Sequence, residues 1–281
     1  MNQKFVSALS ALLLISSVAG CSGEKKADAA RPSKRKDGSV APRPTVVAAP
    51  ASSYRVESVS GGAKITGTID FEGPIPADLV MTPEQGQMEC GQKIVDHRVE
   101  HSGTRIGGAV VWLTDIRTGK AFPLQRRFQL MNEDCLLSPK IQIAFSPSTL
   151  NVVTEDAALH RDKVINVGTG ELETVVPFND NGEVVPYDKL LAGTKQLEIQ
   201  CELHPWEKAW ILVVDHPYVA TSENNGTFSI DGVPAGTYHL KAWHPLLGVA
   251  EQTVTVGSGS ATDVALKLAN VPAAVSDSAP R

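Results

Sequence analysis

Ala63-Lys64-Ile65-Thr66-Gly67-Thr68-Ile69-Asp70-Phe71 alternates apolar and polar side chains from one end to the other. A strand turns successive side chains to opposite faces, so a period of two marks a β-strand with one face buried and the other wet. The pattern returns in Lys140-Ile141-Gln142-Ile143-Ala144-Phe145, in Gln196-Leu197-Glu198-Ile199-Gln200-Cys201 and in Gly226-Thr227-Phe228-Ser229-Ile230. Two short runs are apolar throughout, Ala109-Val110-Val111-Trp112-Leu113 and Trp210-Ile211-Leu212-Val213-Val214. They read as strands from the centre of a sandwich, bounded like the others by Gly, Pro and Asn. No long stretch carries a helical stripe. Short helices or turns are expected only at Ser148 to Leu150, Glu155 to His160 and Tyr187 to Leu191. The predicted fold is therefore an all-β sandwich.

The ends of the chain have a different texture. Met1 to Lys4 are positively charged, Phe5 to Val18 are apolar or small, and Val18-Ala19-Gly20-Cys21 closes the run. Charge, a short apolar length and small side chains are the three parts of an export signal, and the run is short for a permanent membrane span. A cysteine directly after the small residues resembles a lipobox, which implies a signal peptide over 1–20 and a diacylated Cys21. Acyl chains such as palmitate bury methylenes worth about 0.8 kcal/mol each, so two or three of them anchor firmly. Ser22 in place of an aspartate points to the outer membrane, with the protein on the periplasmic face of a bacterial envelope. Residues 21–55 are rich in Ala, Pro, Lys and Arg and read as a tether, which cannot bury enough apolar surface to offset its ordering entropy. Residues 271–281 read as a frayed tail.

About 210 residues remain for folding, one large domain or two small ones. The net charge of -5 and the absence of a basic stripe interleaved with aromatics exclude nucleic acid as an expected partner. No phosphate-cradling glycine loop, nucleophile elbow or hydrolase-like carboxylate pair is present, so an enzyme is not expected. The expected state is a monomer.

With Cys21 assigned to lipid, Cys90, Cys135 and Cys201 remain, and outside the cytoplasm two of them pair. Cys90 and Cys135 both lie in turn-rich segments and form the preferred bridge, although three pairings are formally open. Cys201 ends an alternating strand and leads into Glu202-Leu203-His204-Pro205-Trp206. Cys-x-x-His at a strand end lets a thiolate and an imidazole converge on one ion. The competing reading is a buried structural cysteine beside a surface histidine. His97, His101 and His239 read as surface residues, while His216 and His244, each before a proline, read as packed at sandwich corners. Trp206, Trp210, Tyr218 and Trp243 read as core, with an aromatic platform for glycan or peptide as the alternative.

Cys201 to Trp210, running on into Asp215-His216-Pro217-Tyr218, resembles the carboxy-terminal signature of bacterial cupredoxin-like periplasmic proteins. Asn225-Gly226-Thr227-Phe228-Ser229-Ile230, Val233-Pro234-Ala235-Gly236-Thr237-Tyr238 and Ala242-Trp243-His244-Pro245 resemble a carboxypeptidase regulatory-like segment, with a hairpin turn at Asn225-Gly226. The resemblance implies a cupredoxin-like Greek-key β-sandwich over 56–209 and a smaller β-sandwich segment over 210–270. Whether that segment stands alone or completes a sandwich with the region before it is open at this point. The resemblance also implies a copper site in which Cys201, His204 and His160 are ligands, with Glu207 where relatives commonly carry methionine. Lys140 and Arg161-Asp162 are further departures from the family pattern. The implied role is electron transfer or copper handling, with a redox partner protein. The alternatives are a metal-free sandwich that binds envelope partners or glycans, and a metal-dependent enzyme with Glu207 as base.

Overall fold

The computed structural model describes residues 54–83, 87–124, 127–190 and 194–269. The stretch read as a signal peptide, Cys21, the tether as far as Ser53 and the tail all lie outside the described residues. Tyr54 and Arg55, assigned above to the tether, belong to the fold. Tyr54 is buried against Phe122 and Tyr218, and Arg55–Val56 pairs in parallel with Thr118–Gly119.

The strand Ala63–Phe71 alternates in burial as its sequence does, with Ile65, Ile69 and Phe71 inside. It runs parallel to Ala261–Leu268 on one side and antiparallel to Thr227–Val233 on the other. At Gly67 the neighbouring strand comes so close that an added Cβ would sit 2.3 Å from the Val264 carbonyl oxygen, which is why the alternation has a glycine there. A second sheet, ordered Val219–Thr221, Val110–Leu113, Gly236–His244 and Gly248–Val256, closes over the first. Ile65, Ile69, Val111, Leu113, Leu240 and Leu266 fill the space between them.

A second sandwich is inserted in the chain between the two halves of the first. Its four-stranded sheet runs Leu136–Ser138, Arg127–Glu133, Ser148–Thr154, Val184–Leu190. Its five-stranded sheet runs Ile141–Phe145, Lys208–Val214, Lys195–Cys201, Arg161–Asn166, Leu172–Pro177. Leu130, Leu150, Val152, Val164, Leu197, Ile199 and Ile211 form its core. The segment after residue 209 therefore does not stand alone: Lys208–Val214 is a strand of the inserted sandwich, and 219–268 completes the sandwich begun at Tyr54. Pairing across the sheets cuts through the linear boundary expected at 209/210.

The two wholly apolar runs meet at the junction of the sandwiches. Val111 and Leu113 face the first core while Val110 and Trp112 face away from it; Ile211 and Val213 face the second core while Trp210, Leu212 and Val214 face away. The outward sets pack together with Trp243 in a third apolar cluster. Burial on both faces removes the need for alternation, and that accounts for the continuous runs.

Two of the three stretches expected as short helices or turns are strand instead, and the third forms no helix. Ser148 to Leu150 opens the strand Ser148–Thr154, residues 187–190 belong to the strand Val184–Leu190, and the stretch from Glu155 to His160 is irregular. Leu150, Val152 and Val153 are all buried, so the β-branched residues and the sheet partner decide the outcome. Among the described residues the only helix is Gln87–Cys90. Asn225-Gly226 does form a turn, with Gly226 at φ 79 and the Thr227 N–H donating to Asn225 Oδ1 at 3.0 Å. It does not close a hairpin: it carries the chain from the sheet of Val219–Thr221 to the opposite sheet.

Candidate metal centre

Sheet pairing sets the frame of the site. Asp162 lies opposite Cys201 where Arg161–Asn166 and Lys195–Cys201 run antiparallel, so His160, just before the first strand, meets the end of the second. Beyond Cys201 the chain loops back at once. The Cys201 N–H donates to the Glu207 carbonyl at 3.1 Å, and the Glu207 N–H to the His204 carbonyl at 2.9 Å. This closed loop presents three side chains at intervals of three residues on one side. Trp206 covers it, its ring centroid 5.3 Å from that of His204 and its Nε1–H donating to the Cys135 carbonyl at 3.0 Å.

His160, Cys201, His204 and Glu207 come together, all four buried, with one potential ligand atom of each within 4.8 Å of all the others. The Cys201 sulfur is 3.8 Å from His160 Nδ1 and 3.7 Å from His204 Nδ1. Glu207 Oε2 is hydrogen-bonded to His160 Nδ1 at 3.0 Å, and its Oε1 lies 3.1 Å from His204 Nδ1. That second contact is at ion-pair distance but out of line for a hydrogen bond, which leaves Oε1 buried without one. Asp162 is buried beside them, taking a hydrogen bond from Asn132 Nδ2 at 3.0 Å on Oδ2, while its Oδ1 has none.

The electrostatics describe a cluster that holds protons in a metal's place. Burial disfavours charge on His160, yet Asp156, Cys201 and Glu207 outweigh it and push the imidazole up to about 11. The same opposition at His204 ends at about 9, in favour of the contacts from Cys201 and Glu207. Burial would raise the Cys201 thiol, but the two histidines bring it below its ordinary value. Burial raises the Asp162 carboxyl to about 6, helped by Glu207 and opposed by the hydrogen bond from Asn132.

These residues fit a metal. One thiolate, two imidazoles and a carboxylate converge from two chain segments; soft and borderline donors of this kind suit copper or zinc and not magnesium or calcium. Glu207 Oε1, a buried carboxylate oxygen without a hydrogen bond, belongs to the cluster, where a cation would satisfy it.

The other residues singled out above fall elsewhere. Cys90 and Cys135 are joined in a disulfide, and Cys201 is a buried free thiol. Lys140 is ion-paired with Asp96, away from the cluster. His97, His101 and His239 are exposed, and the rings of His97 and His239 pair with Asp78 and Asp115. His216 and His244 are buried, each accepting on Nδ1 the N–H of the residue two positions on, Tyr218 and Leu246, at 3.2 Å. The four aromatics form no single platform: Trp210 and Trp243 are in the junction cluster, Tyr218 in the first core and Trp206 over the loop. The residue missed in the sequence is Asp156, whose Oδ2 lies 3.1 Å from His160 Nε2. Its only sequence signal is a carboxylate four positions before a candidate ligand.

A family model of polysaccharide lyase family 4, domain II, matches residues 205–264, which include the stretch that resembles a carboxypeptidase regulatory-like segment. No curated protein matches the chain. Among solved structures the chain is similar to a copper-containing nitrite reductase from Thermus scotoductus SA-01, at 20% identity and TM-score 0.29, over 37% of this chain and 25% of that one. It is similar to a purple cupredoxin from Nitrosopumilus maritimus at 17% identity and TM-score 0.26, over 31% of this chain and 98% of that one. A mutant amicyanin in the Cu(I) state is similar at 11% identity and TM-score 0.28, over 32% of this chain and 85% of that one. The chain thus spans a quarter of the length of the nitrite reductase.

Proposed function

We propose that this chain is a lipid-anchored envelope protein that binds one copper ion through His160, Cys201, His204 and Glu207 and serves electron transfer or copper handling. The observation that carries the reading is the convergence of four buried donors, brought from two chain segments to within 4.8 Å. A buried cluster of this composition has no structural need for a thiol and a carboxylate oxygen left without a hydrogen bond; an ion would satisfy both. Copper is assigned over other divalent ions because it stands highest in the affinity order for nitrogen and sulfur donors. Thiolate, imidazole and carboxylate must all be deprotonated to bind, so loading releases the protons now held by the two histidines. Leu159 and Leu203, each beside a ligand histidine, are 65% and 54% exposed and would offer an apolar rim to a redox partner. Attachment through Cys21 would hold the site near the membrane surface, facing the periplasm.

The test is copper loading of the purified full chain followed by desalting. One equivalent retained, with a thiolate-to-copper absorption band that disappears in Cys201→Ser and His204→Ala, is the expected result. A folded, monodisperse chain that retains no copper would overturn the reading in favour of a metal-free binding scaffold.

A further inference from the structure

Asp156 belongs to none of the strands that carry the ligands, yet one of its oxygens is committed at the metal cluster. Oδ2 accepts the Cys135 N–H at 3.0 Å and lies 3.1 Å from His160 Nε2, at ion-pair distance but out of line for a hydrogen bond. Both side chains are buried, that of His160 completely. Cys135 itself is fixed twice over, by the disulfide to Cys90 and by its carbonyl, which takes the Trp206 Nε1–H. It occupies the second position of a two-residue turn between Glu133 and Leu136, and Asp134 and Cys135 have φ 52 and φ 54. A cysteine in the left-handed region is strained and persists only where its surroundings over-determine it. Here the bridge, Asp156 and Trp206 do so.

An imidazole binds a metal through one nitrogen only when that nitrogen carries no proton, and the partner of the other nitrogen decides which one that is. Both ring nitrogens face a carboxylate, Nε2 that of Asp156 and Nδ1 that of Glu207, and an ionised carboxylate only accepts, so the metal-free ring carries a proton on each; the one given up to an ion is that of Nδ1, because Asp156 stands outside the donor cluster and keeps the proton of Nε2. Nδ1 is also the nitrogen that faces Cys201 and Glu207.

We propose that Asp156 is the positioning residue of the metal centre, its carboxylate facing Nε2 of His160 at ion-pair distance so that the ring presents Nδ1 beside Cys201, His204 and Glu207. The Cys135 peptide sets Asp156 in turn, which makes the disulfide-bonded turn the support on which the upstream ligand rests. Its consequence for copper rests on the function proposed above, while its consequence for the ring does not.

Two measurements on the full chain test it. The first is affinity for Cu(II) by competition with a chromophoric chelator, for wild type, Asp156→Ala and Asp156→Asn. A partner of a ligand histidine is worth about 10–100-fold in affinity, so that loss is expected in Asp156→Ala, together with a changed thiolate band. Asn keeps an acceptor oxygen, and Asp156→Asn should recover most of the affinity and the wild-type band. The second is long-range 1H–15N spectroscopy of the metal-free chain, in which an exchange-protected His160 Nε2–H is expected in wild type and Asp156→Asn and absent in Asp156→Ala. An Asp156→Ala protein that keeps the protected Nε2–H overturns the proposal, as does unchanged Cu(II) affinity with an unchanged band. If the wild type binds no copper, the copper reading falls, and the metal-free spectra alone decide whether Asp156 orients the ring. Should Asp156→Ala fail to fold, Asp156→Asn decides, since loss of the Nε2–H signal or of the band in that variant also overturns the role.

Discussion

Glu207 brings a second negative charge into a pocket that already holds the Cys201 sulfur, with neither side chain open to water. A thioether at that position would be neutral. For a copper ion bound among these donors, the carboxylate favours the doubly charged state over the singly charged one, because the Coulomb interaction with a buried charge is little screened. Glu207→Met should therefore raise the midpoint potential of the copper-loaded chain. A shift of about 60 mV corresponds to one decade of relative affinity for a one-electron couple, and at least that much is expected by voltammetry. An unchanged or lower potential would mean that Glu207 does not face the ion. Cys201 and His204 were legible in the sequence because a single loop carries them as Cys-x-x-His, whereas Glu207 came only from the family resemblance. His160 is 41 residues from Cys201 and came only from the family resemblance. Asp156 could not be read at all, since nothing local distinguishes a carboxylate that faces an imidazole from one that faces solvent.

The loop from Cys201 to Glu207 is short, closed by its own backbone hydrogen bonds and roofed by Trp206. Glu202 ties it to the neighbouring strand through its N–H to the Arg161 carbonyl, and on its other side the bond from Trp206 Nε1 reaches the Cys135 carbonyl. Trp206→Phe keeps an aromatic ring over His204 and removes only that donor. A hydrogen bond of this kind contributes about 1 kcal/mol, so release of copper to a chelator, followed by stopped flow, should quicken about fivefold, with the absorption band in place. Loss of the band itself would mean that the ring, and not its N–H, holds the loop. The alternating strands were readable because period two is imposed by the backbone alone. Residues 155–160, expected as a short helix or turn, form no helix, since this stretch is held by contacts distant in sequence: Asp156 meets Cys135, and the His160 carbonyl accepts the Phe178 N–H at 3.3 Å. Local propensity carries no record of such partners.

Division of the chain into two sandwiches was the least legible feature, because it depends on Ala63–Phe71 pairing with Ala261–Leu268 across the whole inserted sandwich. A linear reading places a boundary where the chain crosses from one core to the next, and here it crosses twice. The junction this creates is apolar, with Trp112, Trp210 and Trp243 at its centre, and His244 follows Trp243 at its margin. His244 is buried, its Nδ1 accepts the Leu246 N–H, and the ammonium of Lys140 adds to burial in disfavouring the imidazolium, so its value falls to about 4. His216, the second buried histidine before a proline, is also lowered by burial. In the unfolded chain each returns to the ordinary value near 6.5. Between 6.5 and 4 the unfolded state thus binds the proton that the folded state refuses, and stability is complete above pH 6.5 and lost as the pH falls. For His244 the shift corresponds to about 3 kcal/mol at pH 4. Urea unfolding of the metal-free chain at several pH values between 7.5 and 4 should show this decline. His244→Gln, which retains an acceptor oxygen but does not titrate in this range, should flatten it by about that amount. Equal slopes for the two proteins would show that His244 is protonated in the folded state, and that the junction accepts a charge beside Lys140.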